Sequence, residues 1–112
     1  NRDDQKIETN WIRGKAFGKS APIGPVIVSP ELVPDDARIT LKQNGEIKQD
    51  SKISNMAFSI SELIEEITKY MTLERGDIIA TGTPSGVGPI EDGDEIEVEI
   101  EGVGKLINYF KK

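Results

Sequence analysis

Arg38-Ile39-Thr40-Leu41-Lys42-Gln43-Asn44-Gly45-Glu46-Ile47-Lys48-Gln49 alternates apolar and polar residues on both sides of an Asn-Gly pair. A period of two is the pattern of a strand with one buried face, and Asn-Gly readily takes the two positive-φ conformations of a tight hairpin turn. The stretch predicts two antiparallel strands, with Ile39, Leu41 and Ile47 facing the core. Further along, Glu95-Ile96-Glu97-Val98-Glu99-Ile100-Glu101 alternates without a break, placing four carboxylates on one face and three aliphatics on the other. Gly102-Val103-Gly104 then turns the chain into a closing strand, Lys105-Leu106-Ile107-Asn108-Tyr109-Phe110, whose Lys105 offsets part of that negative charge. Glu97 and Glu99 have a spacing that can ligate Mg²⁺, but alternating acids also simply keep a sheet face in water, and the second reading is preferred.

Working outward, Pro25-Val26-Ile27-Val28-Ser29-Pro30 reads as a short strand fenced by prolines, and Asp77-Ile78-Ile79-Ala80 as another. Between them lies an amphipathic helix over about 59–71. Ser59 caps it, Glu62 completes a capping box, and Ile60, Leu63, Ile64, Ile67 and Met71 form one apolar stripe, read as core packing. The strand at Asp77 leads into Thr81-Gly82-Thr83-Pro84-Ser85-Gly86-Val87-Gly88. Three glycines allow positive φ and close approach of backbone to a ligand, while the hydroxyls add short polar handles. From spacing alone this is either a plain turn or a cradle for a carboxylate or oxyanion.

Composition narrows the function classes. One domain is the simplest reading of 112 residues, and a net charge of −6 disfavours nucleic acid or an anionic membrane as partner. No apolar run approaches a membrane span, and no signal peptide is evident, so a cytoplasmic protein is expected. The chain contains neither histidine nor cysteine. That excludes disulfides, Ser-His and Cys-His nucleophile pairs and imidazole metal ligands, leaving carboxylate, lysine, arginine and hydroxyl groups for any chemistry. The cluster from Arg13 to Ser20 nearly spells a phosphate-binding loop, but Gly14 and Gly18 enclose three residues where that motif needs four, and Pro22 and Pro25 forbid the following helix. A chain beginning at Asn1 implies sequence upstream.

Taken together, Arg2-Asp3 with Gln5, Trp11 with Lys15-Ala16-Phe17, Pro22-Ile23-Gly24-Pro25, Asn44-Gly45-Glu46 with Gln49, Ser54-Asn55-Met56-Ala57-Phe58-Ser59 and Leu73 through Gly88 resemble, in order and spacing, the C-terminal half of the fumarylacetoacetate hydrolase family. The resemblance covers essentially the whole chain. It implies an α+β, mostly β fold: a mixed β-roll with the one amphipathic helix packed against it. It also implies a metal-dependent hydrolase, decarboxylase or isomerase acting on small 2-oxo and 1,3-dicarbonyl acids, such as acylpyruvates, oxaloacetate or the dienedioates of aromatic catabolism, through an enolate or oxyanion. Mg²⁺, or Mn²⁺ or Ca²⁺ in its place, is the implied cofactor, and a homodimer the implied assembly.

By the same resemblance, Lys15 places its ammonium on the substrate carboxylate or developing oxyanion, Arg2 and Gln5 orient the substrate, and Thr83 with neighbouring Gly82 grips the carboxylate. The family's metal ligands, a Glu-x-Glu pair and a further Asp, belong upstream of Arg2; Asp3 and Asp4 do not match them. The His-Glu pair of its lid also belongs upstream. The expectation is therefore a C-terminal part, residues 1–112, that carries carboxylate and oxyanion donors, lacks the metal-binding part and is inactive in isolation. The alternative is a non-catalytic binding or assembly fragment.

Overall fold

The computed structural model describes residues 15–112. Arg2, Gln5 and Trp11 lie outside the described residues. Four strands, β1 (Arg38–Gln43), β2 (Glu46–Lys52), β3 (Glu95–Ile100) and β4 (Gly104–Tyr109), form one antiparallel sheet in the order β2-β1-β3-β4, and one helix, α1 (Ile60–Thr68), lies between β2 and β3 in sequence. Among the described residues this is a mostly β arrangement with one amphipathic helix after β2, in agreement with the periodicities and with the expected α+β, mostly β class.

The hairpin turn forms as expected, with Asn44 at φ 52° and Gly45 at φ 80°. A two-residue turn pairs Gln43 with Glu46 and Lys42 with Ile47. Ile47 consequently shares a face with Lys42, not with Leu41, and is 49% exposed; the expectation that it faces the core is corrected. A β-bulge follows at once, because Leu41 pairs with Gln49 and leaves Lys48 without an opposite residue. Without it Leu41 would face Lys48, and Gln49 would join Thr40 on the charged side. With it, Gln49 sits among the aliphatics.

Register across the sheet separates two faces. Ile39 pairs with Ile100, Leu41 with Val98, and Val98 in turn with Leu106, giving an aliphatic face. On the other face Glu97 lies between two lysines, 3.5 Å from Lys42 Nζ and 3.3 Å from Lys105 Nζ; Lys105 also reaches Glu99 at 3.5 Å. Burial pushes the Glu97 carboxyl up, but the two lysines outweigh it and hold the group below its ordinary value. Glu97 is thus held between lysines and offers no vacant carboxylate to a metal; this face is half-buried and charge-paired where a plainly solvated one is expected, with Lys105 compensating as expected.

Two segments expected as strands carry no ladder. At residues 26–28, flanking prolines remove backbone donors and Ile27 stands in solvent. At 77–80 the chain leaves a tight turn in which the Glu74 amide donates to Asp77 Oδ2 (2.7 Å) and Gly76 takes φ 94°, and Ile78 is exposed. The helix is shorter than the expected 59–71. Its capping box is complete: Ser59 Oγ accepts from the Glu62 amide at 3.2 Å, and the Ser59 amide donates to Glu62 Oε2 at 2.7 Å. At the other end Thr68 Oγ1 donates back to the Ile64 carbonyl at 2.9 Å, and Met71 falls beyond the last turn. Leu63 and Ile67 are half-buried, whereas Ile60 is 56% and Ile64 41% exposed. The stripe is thus only partly core, because no described strand is laid along it.

Asp94 ties the open end of the sheet together. Its Oδ1 accepts from Asn44 Nδ2 (2.7 Å), and its Oδ2 accepts from Gln43 Nε2 (2.6 Å) and the Glu91 amide (2.8 Å). Its carbonyl accepts from the Phe110 amide, and Asn44 Oδ1 accepts from the Glu95 amide at 2.9 Å. One residue, 9% exposed, therefore joins the end of β1 and the hairpin turn through its carboxylate, and the end of β4 through its carbonyl, to the start of β3. The Glu91 amide first, then Asn44 and Gln43, hold its carboxyl below the ordinary value. A depressed carboxyl contributes stability that is present above its unfolded value, about 3.9, and lost as pH falls through the folded one. Asp94→Asn should lower the melting temperature at neutral pH, and the gap between wild type and variant should close on acidification below about pH 4; a gap independent of pH would remove Asp94 from this role.

Candidate carboxylate cleft

The segment from Thr81 to Gly88 is held against the bulged part of β2. Gly86, at φ 102°, passes so close to the strand that a Cβ there would overlap the Lys48 carbonyl oxygen and lie 3.2 Å from Gln49 Cγ. Glycine is needed on both counts, the positive φ and the close approach. The unpaired residue of the bulge is thus the one on which the loop rests. Gln49, turned onto the aliphatic face and 8% exposed, reaches the same loop: its Nε2 donates to Thr83 Oγ1 at 2.8 Å and to the Pro84 carbonyl at 2.7 Å. Downstream, Gln43 Nε2 lies 3.3 Å from the Pro89 carbonyl, linking the far end of the segment to β1.

Between loop and sheet lies an open cleft of about 630 Å³, with Leu41, Gln49, Thr83, Gly86 and Ile96 among its lining residues. Its floor is aliphatic and its rim polar, a combination suited to a small ligand with one charged end. Thr83 is exposed at that rim. Gly82, at φ 104°, shapes the turn into Thr83 but does not line the cleft. Lys15 is exposed and is likewise not among the lining residues. Arg2 and Gln5 lie outside the described residues. The structure therefore brings one expected site residue to the cleft and adds one that residue-by-residue reading did not single out as functional, Gln49. A lone glutamine in a strand carries no local signal; its placement depends on the bulge.

No group of three or more acidic, His or Cys side chains is placed to hold a metal among the described residues. Asp94 is engaged by three donors and Glu97 by two lysines, so neither offers a vacant carboxylate. These residues do not fit a divalent cation. No described helix is long and apolar enough to cross a membrane.

Comparison with known proteins agrees with the fold. The family model described as "Fumarylacetoacetate (FAA) hydrolase C-terminal" matches residues 1–111. The mitochondrial oxaloacetate tautomerase of Mus musculus is 48% identical over 95 residues, covering 83% of this chain and 42% of the mouse protein. Among solved structures, 5-carboxymethyl-2-hydroxymuconate delta-isomerase from Mycobacterium smegmatis superposes with a TM-score of 0.93 at 42% identity, covering 98% of this chain and 43% of that one. Maleylpyruvate hydrolase from Sphingobium, solved with manganese(II) and pyruvate, gives 0.76 at 37% identity, covering 80% of this chain and 35% of that one. The chain spans less than half the length of each of these proteins.

Gly86→Ala tests the seating of the loop. Overlap with the Lys48 carbonyl and an unfavourable φ together should cost about 2–4 kcal/mol in denaturant unfolding. A change below about 0.5 kcal/mol would mean that the loop is not held against the bulge.

Proposed function

We infer from the fumarylacetoacetate hydrolase family, to which this chain belongs over residues 1–111, that it forms part of an enzyme acting on small 2-oxo acids. Relatives are named as tautomerases, isomerases and hydrolases of such acids. Their chemistries share an anionic substrate carboxylate and an enolate or tetrahedral oxyanion, which fixed donors stabilise. The observation that carries this reading is Thr83 at the rim of the cleft, anchored from behind by a buried amide. A hydroxyl held in place donates to a carboxylate without first being ordered by it, so the substrate is oriented as it binds.

In this reading Thr83, with the turn at Gly82, takes the carboxylate of a 2-oxo or 1,3-dicarbonyl acid. The aliphatic floor at Leu41 and Ile96 excludes water from the substrate's carbon chain. Lys15, Arg2 and Gln5 supply charge and donors to the developing oxyanion. A divalent cation, Mg²⁺ or in its place Mn²⁺ or Ca²⁺, belongs to acidic residues upstream of Arg2 and would act there as a Lewis acid; one relative holds manganese(II). The described residues themselves bind and orient. Residues 1–112 then form the C-terminal part of a longer catalytic domain, working as a cytoplasmic homodimer.

The test is turnover of oxaloacetate, by tautomerisation and by decarboxylation, and of acylpyruvates, using protein expressed from its whole reading frame with Mg²⁺ or Mn²⁺. Thr83→Val should raise KM about tenfold or more with a smaller change in kcat, the loss of one charge-assisted hydrogen bond. Lys15→Ala should lower kcat by about 10²–10³, as removal of other oxyanion donors does. Failure to turn over any of these acids would overturn the enzymatic reading; wild-type rates in the Lys15→Ala protein would remove that residue from the site.

A further inference from the structure

The orientation of the Gln49 amide is settled by its surroundings. The Pro84 carbonyl oxygen can only accept, so the Gln49 atom 2.7 Å from it must be the NH₂ nitrogen and not the amide oxygen. Rotating the amide by half a turn would set two oxygens against each other in a site that is 8% exposed. The same nitrogen lies 2.8 Å from Thr83 Oγ1. Its two protons serve both partners, and Thr83 is therefore an acceptor toward Gln49. A hydroxyl has one proton to give, and among the described residues no group accepts that of Thr83.

We propose that Gln49 is a positioning residue that fixes the polarity of Thr83: by filling an acceptor site of the hydroxyl from behind, it leaves the hydroxyl proton for the cleft, so the ligand atom bound there is an acceptor oxygen of an anion. The inference rests on the reading of Thr83 as a carboxylate donor and deepens it, since it says why a hydroxyl that is ordinarily both donor and acceptor acts here as a donor. It also sets the ligand class at that position. Carboxylate and enolate oxygens take that proton; a group with only protons to offer would meet the remaining lone pair and leave the hydroxyl proton unpaired. The bulge at Lys48 is what carries Gln49 to this face, so the polarity is built into the register of β1 and β2.

Gln49→Glu keeps the shape and reverses the polarity. An ionised Glu at this position takes the Thr83 proton and opposes both the Pro84 carbonyl and an incoming anion. The experiment is a double-mutant cycle of Gln49→Glu and Thr83→Val in protein from the whole reading frame, with pyruvate as probe and Mn²⁺ present, affinity being read by calorimetry at pH 8. Gln49→Glu alone should weaken pyruvate about tenfold or more. In the Thr83→Val background the same change should cost less than about threefold, because the group it acts through is gone. Equal losses in both backgrounds would reveal a merely structural role and overturn the proposal, as would wild-type affinity in Gln49→Glu or a wild-type protein that does not bind pyruvate.

A second arm needs no variant at Gln49. In wild-type protein the two Gln49 amide protons should be distinct by NMR and slow to exchange, and Thr83→Val should shift one of them. A pair that ignores Thr83→Val overturns the assignment. Turnover is an independent axis. Non-additive losses in pyruvate binding without turnover of any 2-oxo acid would uphold the polarity of Thr83 and remove the enzymatic reading, whereas turnover with additive losses would do the reverse.

Discussion

The β-bulge at Lys48 governs the face onto which each later residue of β2 projects, because one extra residue in a period-two element exchanges its two sides. Two consequences meet at the same point. Gln49 is carried onto the aliphatic face, where its amide can reach the loop, and Gly86 of that loop comes to rest on the Lys48 carbonyl. The cleft is the space left between loop and sheet when both contacts are made. A regular hairpin with the same residues would put Gln49 beside Thr40, among charges, and leave Thr83 without its buried partner.

Asp94 performs the corresponding service at the other end of the cleft. It gathers Gln43, Asn44 and Glu91 around one carboxylate and so joins strands that are far apart in sequence. The sheet is held in register by this polar knot and by its ladders more than by a deep interior, since Ala37 is the one hydrophobic side chain fully buried among the described residues. A rigid polar frame suits a site in which a hydroxyl must point one way.

What could be read in the chain beforehand was what depends on neighbours in sequence. The hairpin at Asn44-Gly45, the alternation of β3 and β4 and the capping box of Ser59 and Glu62 are local, and each forms where expected. Ile47 was misplaced because alternation within a strand says nothing of register across a turn. The helix stripe was assigned to the core because periodicity identifies an apolar face without identifying what covers it; Ile60 and Ile64 stand exposed. The segments at 26–28 and 77–80 have strand-like composition but no partner among the described residues to complete a ladder. Gln49 and Asp94 act across 34 and 50 residues respectively, through Thr83 and Asn44, and no local pattern announces such pairs. The motif containing Thr83 was visible through family resemblance, whereas the polarity of its hydroxyl required the placement of an amide behind it.

The scarcity of fully buried aliphatic side chains has a thermodynamic counterpart. Unfolding of a stretch whose isoleucines and valines are already partly hydrated exposes less new apolar surface than unfolding of a conventional core, so its heat-capacity increment is small for its length. A small increment flattens the dependence of stability on temperature and weakens the hydrophobic contribution to it. That increment belongs to residues 15–112 taken alone; apolar surface such as that of Ile27 and Ile78, where a longer chain covers it, would add to the increment and steepen the curve.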